Sequence, residues 1–221
     1  LDDLLSGKEM EKVVERNPVI EKKSVNNIMT ALYAFVVISF FITIVDIIIR
    51  FPLQSEMIDY NDIQAIVINV LALLIQIVFF AYGFVNAIRG MLSPKRMGAV
   101  IVAFFAATCI TGTGNMVINS NVQIVLWWIV LIIPNVVGAV ATFAYFVSGK
   151  KSKIYSIIIY LAAILGIFRI IYSNYNLIVH ANQYLSMNST VRLVLGIAIH
   201  CLVIYQTYVL WIKRQNAIDI S

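Results

Sequence analysis

Six long apolar stretches dominate the pattern of hydrophobic and polar positions along this chain. Each has about the 20 residues that a helix needs to cross the hydrocarbon core of a bilayer. Because backbone N–H and C=O groups cannot go unpaired in hydrocarbon, stretches this continuous must be helices, and none alternates as a barrel strand would. The pattern predicts an all-α, six-helix transmembrane bundle, with spans at Ile28–Arg50, Asp62–Ile88, Met97–Val117, Val122–Val147, Ile154–Leu177 and Thr190–Ile212.

Composition and chain organisation agree with a membrane protein. Hydrophobic residues make up 61% of the 221 residues and charged residues only 12%, whereas a soluble domain carries about a quarter charged residues. Residues 1–27 are predicted to be a cytoplasmic, amphipathic N-terminal segment, residues 28–212 the transmembrane domain, and residues 213–221 a cytoplasmic tail. The charged N-terminal segment does not resemble a cleavable signal peptide.

The basic residues orient the predicted bundle, because cytoplasmic loops carry an excess of Lys and Arg. Only Arg50 and Arg192 fall on the opposite side, and Arg169 lies inside a span. This distribution predicts a multi-pass protein of the cell membrane with both termini cytoplasmic. It also accounts for the formal charge of +5 without a nucleic-acid partner. The basic side carries Lys8, Lys12, Arg16, Lys22, Lys23, Arg89, Lys95, Arg96, Lys150, Lys151, Lys153, Lys213 and Arg214.

Two ionisable residues are predicted at similar depth inside the membrane. Arg169 in the fifth span and Asp46 in the first both lie past the midplane, on helices that run outward, when depth is counted at about 1.5 Å per residue. Ionisable residues within spans usually face a partner or an aqueous cavity, so the two are expected to face each other or to share such a cavity. In the alternative interpretation, Arg169 snorkels to the outer interface and Asp46 pairs with Arg50 along its own helix.

A helical stripe on the fifth span favours the inward orientation of Arg169. Small residues form the inner half of this stripe, and small residues allow helix backbones to approach closely in lipid. Similar stripes occur on the first span, through Ser39 and Thr43, and on the sixth, through Gly196 and His200. The fifth-span stripe consists of Ala162, Gly166, Arg169, Ser173, Asn176 and His180.

Polar residues in several spans suggest a pocket that opens to the outside and narrows toward the midplane. His200 is expected at its floor, where it is either a hydrogen-bonded packing residue or a titratable group. Asn135 follows Pro134 on the fourth span, and proline tends to kink a helix. The predicted pocket or solute pathway comprises Asp46, Asn69, Thr111, Asn115, Asn135, Arg169, Ser173 and His200.

The sequence gives little indication of an enzyme or of a bound cofactor. The spans contain no paired aspartates, Ser–His arrangement or HExxH motif of a membrane protease. The two histidines lack the carboxylate or thiolate company of a metal site. We therefore expect neither catalysis nor a metal or other cofactor.

The N-terminal segment contains a capping-box pattern in SGKEMEKVVERNPV, with Ser6 three residues before Glu9. Met10, Val13 and Val14 would form a narrow apolar edge on the helix that follows. Such a helix would lie along the lipid headgroups, dock on a partner, or simply be solvated.

An amphipathic N-terminal segment followed by six spans resembles exporter-type ABC permease subunits in outline. Vitamin-binding subunits of energy-coupling transporters are also similar in size and number of spans. These likenesses are architectural and imply a transport complex with a soluble nucleotide-hydrolysing subunit or another membrane protein. The predicted function is to bind or pass a solute through the bilayer; the alternative is a non-transporting accessory, immunity or regulatory protein that binds a partner.

Overall fold

Six long helices account for almost all of the chain that the structure describes. The computed structural model describes residues 23–54, 60–114, 125–126, 128–175, 179 and 187–218, with the side chains of 25–45, 67–111, 125–126, 128–175, 179, 190–191 and 193–215. The helices are α1 (Lys23–Gln54), α2 (Tyr60–Ile88), α3 (Pro94–Gly114), α4 (Trp128–Val147), α5 (Lys153–Ser173) and α6 (Met187–Ile218).

Each helix contains a segment long and apolar enough to cross a membrane. The six segments have mean hydropathies between 1.3 and 2.5. The all-α, six-span prediction is therefore confirmed, and the protein is a multi-pass membrane protein. The segments are Val25–Val45, Val67–Ile88, Pro94–Thr111, Trp128–Val147, Lys153–Ser173 and Leu193–Gln215.

Several helices extend beyond the predicted spans. Helix α1 begins at Lys23, five residues before Ile28, and α6 runs to Ile218, past the predicted end at Ile212. These extensions are polar, because a helix continues into the headgroup region as long as its residues have helical propensity, whereas hydropathy marks only the part within hydrocarbon. Helix α3 is continuous through Thr111 and ends at Gly114.

The six helices form a closed ring in chain order. Each helix packs against its neighbours in the chain, α6 closes the ring by packing against α1, and α3 also contacts α6 across the interior. Short connections at residues 89–93 and 148–152 make the flanking helices antiparallel, with Gly90 (φ 64°) and Gly149 (φ 70°) in the left-handed conformation that glycine adopts without strain.

A continuous core of aromatic and aliphatic side chains fills the ring. Tyr33, Phe40, Phe80, Phe105 and Phe146 are all fully or almost fully buried. Burial of such side chains and close helix packing stabilise the interior. The outward face is equally apolar, which suits contact with lipid: Phe41, Val78 and Phe168 are each about two-thirds exposed.

Exposed aromatic residues mark two levels along the bundle. Tyr172 and Tyr175 are exposed near the end of α5, and Tyr208 and Trp211 are exposed near the opposite end, on α6. On α5, Tyr155 and Tyr172 are 17 residues apart, or about 26 Å at the helical rise. Aromatic belts of this kind sit at the two membrane interfaces, and the spacing is close to the thickness of a hydrocarbon core.

Candidate polar site within the helix bundle

His200 occupies the interior of the bundle at the contact between α5 and α6. Its side chain is 2% exposed, and Nδ1 lies 2.7 Å from the carbonyl oxygen of Gly196, one turn earlier on α6. A carbonyl oxygen only accepts, so Nδ1 carries the proton and donates, and Nε2 of the neutral ring is left as an acceptor. Nε2 receives no hydrogen bond from any residue that the structure describes.

Two residues on neighbouring helices hold the imidazole ring in place. A Cβ atom added at Gly166 of α5 would overlap Nε2 of His200, so the ring rests directly against the helix backbone. Phe104 of α3 contacts the ring edge-to-face, with centroids 5.0 Å apart and planes at 86°, a favoured aromatic geometry. His200 thus joins α3, α5 and α6 across the interior.

Arg169 lies one turn beyond Gly166 and is half-buried. Its guanidinium is within electrostatic range of His200 on α6 and of the thiol of Cys109 on α3. Counting along α5 places it about 24 Å from Lys153 and about 6 Å from Ser173 at the helix end. The arginine thus lies in the half of the bundle away from the basic loops, and its charge acts on an imidazole and a thiol that belong to two other helices.

The sequence offers few acidic residues that could pair with Arg169. No Asp or Glu occurs between residues 63 and 218, so any carboxylate side chain that pairs with Arg169 must belong to residues 1–62 or to Asp219. Asp46 is the acidic residue inside the predicted first span. Its backbone belongs to α1, which packs against α6 as α5 does. The side chain of Asp46 lies outside the described residues, so its pairing with Arg169 stays a prediction.

Asn135 is buried at an irregular part of α4. Residues Trp128–Ile132 are π-helical, Ile133–Thr142 α-helical and Phe143–Val147 π-helical. Pro134 begins the α-helical part, where its missing N–H is tolerated. The Asn135 side-chain amide donates to the carbonyl oxygen of Leu131 at 2.7 Å. The amide is therefore engaged by its own helix.

The other predicted pathway residues have varied positions. Asn69 on α2 is half-buried, and Thr111 on α3 is half-buried with its hydroxyl 3.2 Å from the carbonyl oxygens of Ala107 and Thr108. Ser173 is exposed at the end of α5 and donates to the carbonyl oxygen of Ile170, so it lies on the surface of the bundle. Outside the described residues lie Asn115 and the proposed docking residues Met10, Val13 and Val14.

The stripes predicted on three helices face protein along part of their described length; Ser173, at the end of the fifth-span stripe, is exposed. Ser39 and Thr43 on α1 are buried and donate to carbonyl oxygens one turn back. Ala162 and Gly166 on α5 are buried, as are Val203 and Thr207 on α6.

The half of the bundle toward the basic loops contains buried polar groups besides Asn86. Gln206 is fully buried and hydrogen-bonds the hydroxyl of Tyr33 on α1. Arg214 is also buried: its Nη2 donates to the carbonyl oxygen of Tyr145 at 3.0 Å, and its guanidinium lies 4.5 Å from that ring's centroid.

The sequence pattern did not indicate that Gln206 and Arg214 are buried. Gln206 follows His200 by six residues. The predicted stripe on α6 follows spacings of three or four residues, so Gln206 does not belong to it. Arg214 was assigned to a cytoplasmic tail by its position after the last apolar residues. Only the packed helices show that a terminal arginine turns back into the bundle.

Comparisons with protein-family models, with curated proteins and with solved structures find no match for this chain. The fold and the interior groups define a class, a polytopic helical membrane protein with an arginine and a histidine inside the bundle. Function must be inferred from these groups alone.

Proposed function

We propose that this chain is a transport-type membrane protein that binds or passes a solute between its helices. The observation that supports this most directly is the convergence of Arg169, His200 and Cys109, together with the unsatisfied Nε2 of His200 among the described residues. Ionisable groups inside membrane spans are costly and usually line a solute or ion pathway. Asp46 completes the proposed path on α1, and Asn135 belongs to the irregular helix α4.

The proposed path opens toward the outside, with both termini cytoplasmic. The loops at residues 89–93 and 148–152, the helix starts that follow them and the end of α6 carry most of the basic residues that the structure describes, all at one end of the bundle. This is the pattern of the cytoplasmic side. Arg169 then lies in the outer half and His200 nearer the centre, which fits a path that narrows inward.

A soluble nucleotide-hydrolysing subunit or another membrane protein is the proposed partner. The architectural likeness to permease and vitamin-binding subunits supports a place in such a transport complex. The cell membrane is the proposed location.

Gentle purification from native membranes, followed by mass spectrometry of everything retained, tests the proposal. We expect a stoichiometric partner subunit or a bound small molecule. The Arg169→Ala variant should lose the small molecule, whereas Arg192→Ala, at a helix end, should retain it. Equal retention by both variants, or none by the wild-type protein, would contradict a solute pathway at Arg169.

The second candidate function is that of a non-transporting accessory, immunity or regulatory protein. The contact of His200 with the backbone at Gly166 favours it, because so close an approach leaves no space between ring and helix at that point. In that case the interior polar groups tie helices together and the N-terminal segment or the outer loops bind the partner. Co-purification with a membrane or secreted protein, with no small molecule, would favour this function.

A further inference from the structure

The basic end of the bundle carries a group of exposed positive charges. Arg89, Lys95, Lys150 and Lys153 are all exposed, and they belong to the two connections α2–α3 and α4–α5 and the helix starts that follow. Arg96, half-buried beside them, donates from Nη1 to the carbonyl oxygen of Met91 at 2.6 Å and so orders the first connection.

Helix packing brings these two connections together. At the start of α3, a Cβ added at Gly98 would lie 2.5 Å from Cβ of Phe146, at the end of α4. The α4 end is in turn tied to the end of α6 by the hydrogen bond from Arg214 to Tyr145. The cations of α3, α4–α5 and α6 therefore form one surface, which we call the basic surface: Arg89, Lys95, Arg96, Lys150, Lys151, Lys153 and Lys213.

The acidic residues of the sequence lie outside the stretch that carries the basic surface. Residues 63–218 contain no Asp or Glu. The N-terminal segment, residues 1–22, has six acidic and four basic residues, so it would neutralise the surface only in small part. A partner that supplies several negative charges is therefore needed for full neutralisation.

Exposed aromatic side chains place this surface at the level of lipid headgroups. Tyr208 and Trp211 stack on the lipid-facing side of α6, with centroids 6.4 Å apart. The ammonium of Lys150 lies 5.8 Å from the centroid of the Tyr155 ring. Amphipathic aromatic rings settle at the membrane–water interface, and lysines beside them reach the phosphate layer.

We propose that the basic surface binds the phosphate headgroups of anionic lipids. Juxtamembrane Lys and Arg residues are attracted to anionic lipid, and each contributes a preference that corresponds to roughly fivefold in binding. The position of the cations at the same end of the bundle as the exposed Tyr208 and Trp211, with Lys150 over the ring of Tyr155, favours lipid over a soluble acidic partner. This surface lies at the opposite end of the bundle from Arg169 and is independent of the proposed solute path.

Native mass spectrometry of the full chain, mixed with equal amounts of dioleoyl-phosphatidylglycerol and dioleoyl-phosphatidylcholine, tests the proposal. The wild-type protein should retain an excess of phosphatidylglycerol that falls as salt is raised. The variant Lys95→Gln/Lys150→Gln/Lys153→Gln should lose it by roughly fivefold per lysine. The matched Lys→Arg variant at the same positions should keep it, as should Arg192→Gln at the other end.

Any of four results would overturn the proposal. The wild-type protein could retain both lipids equally, or retain an excess that salt does not alter. The Gln variant, shown to be folded by circular dichroism, could keep the full excess. Finally, an excess of phosphatidylglycerol could be retained by the full-length Glu9→Gln/Glu11→Gln/Glu15→Gln variant but not by the wild-type protein. That result would show that the N-terminal segment covers the basic surface. If the Gln variant does not fold, two measurements still test the proposal. The wild-type excess must fall as salt is raised, and the Lys→Arg variant must keep that excess.

Discussion

At the scale of single residues, Gly166 sets how closely His200 approaches α5. The imidazole occupies the volume that any larger side chain at Gly166 would fill, and Phe104 closes it from α3. The stripe of small residues predicted on the fifth span is the sequence feature behind this contact. The sequence could not predict that Nε2 faces that glycine, because the ring orientation depends on its hydrogen bond to Gly196.

A double-mutant cycle checks this contact. Gly166→Ala should lower the melting temperature in detergent, since overpacking costs about 1–3 kcal/mol against a gain of about 1 kcal/mol from replacing glycine in a helix. In a His200→Ala background the same change should be neutral or stabilising, which gives an interaction energy of at least about 1 kcal/mol. Additive effects of the two changes would mean that the ring does not rest against Gly166.

At the scale of elements, α4 differs from the other five helices. It changes from π-helical to α-helical and back within residues 128–147. Pro134 indicated an irregularity at this point, because a proline lacks the N–H of a regular helix. The π-helical turn at Phe143–Val147 has no comparable sequence signal, since π-turns arise where packing forces one extra residue into a turn.

Replacing Asn135 tests the role of its side chain in the irregular helix. Asn135→Leu removes the donor to the Leu131 carbonyl, and we expect a loss of stability of about 1–3 kcal/mol, the range for an unsatisfied buried group. Asn86→Leu is the matched control, since Asn86 donates to the Tyr82 carbonyl at 2.7 Å in a regular stretch of α2. Thermal unfolding should show the larger effect at Asn135, and equal effects would contradict a special role for that amide beside Pro134.

At the scale of the whole molecule, hydropathy alone predicted the number and class of helices. Each span is continuous enough that backbone hydrogen bonding in lipid allows only a helix. Helix ends were predicted less well, as at Lys23 and Ile218, because the polar ends lie outside hydrocarbon. The closure of α6 onto α1 was not predictable, since the Gln206–Tyr33 contact joins residues 173 positions apart.

The orientation of the bundle can be checked with reporter fusions. A fluorescent protein fused after Ser221 should fluoresce, and alkaline phosphatase at the same site should be inactive, because an excess of Lys and Arg predicts that the basic surface faces the cytoplasm. Phosphatase inserted in the loop between α1 and α2 should be active. The reverse pattern would place the basic surface outside and invert the proposed path.

The two native cysteines provide the most direct test of a hydrated interior. Cys109 is half-buried and within electrostatic range of Arg169, whereas Cys201 is exposed on the outer face of α6, toward lipid. A membrane-impermeant, negatively charged thiol reagent should modify Cys109 in a Cys201→Ser protein reconstituted in liposomes. It should leave Cys201 of a Cys109→Ser protein unmodified, and Arg169→Ala should slow the reaction at Cys109. If Cys109 is as unreactive as Cys201, the interior is dry and Arg169 is a structural tie between helices.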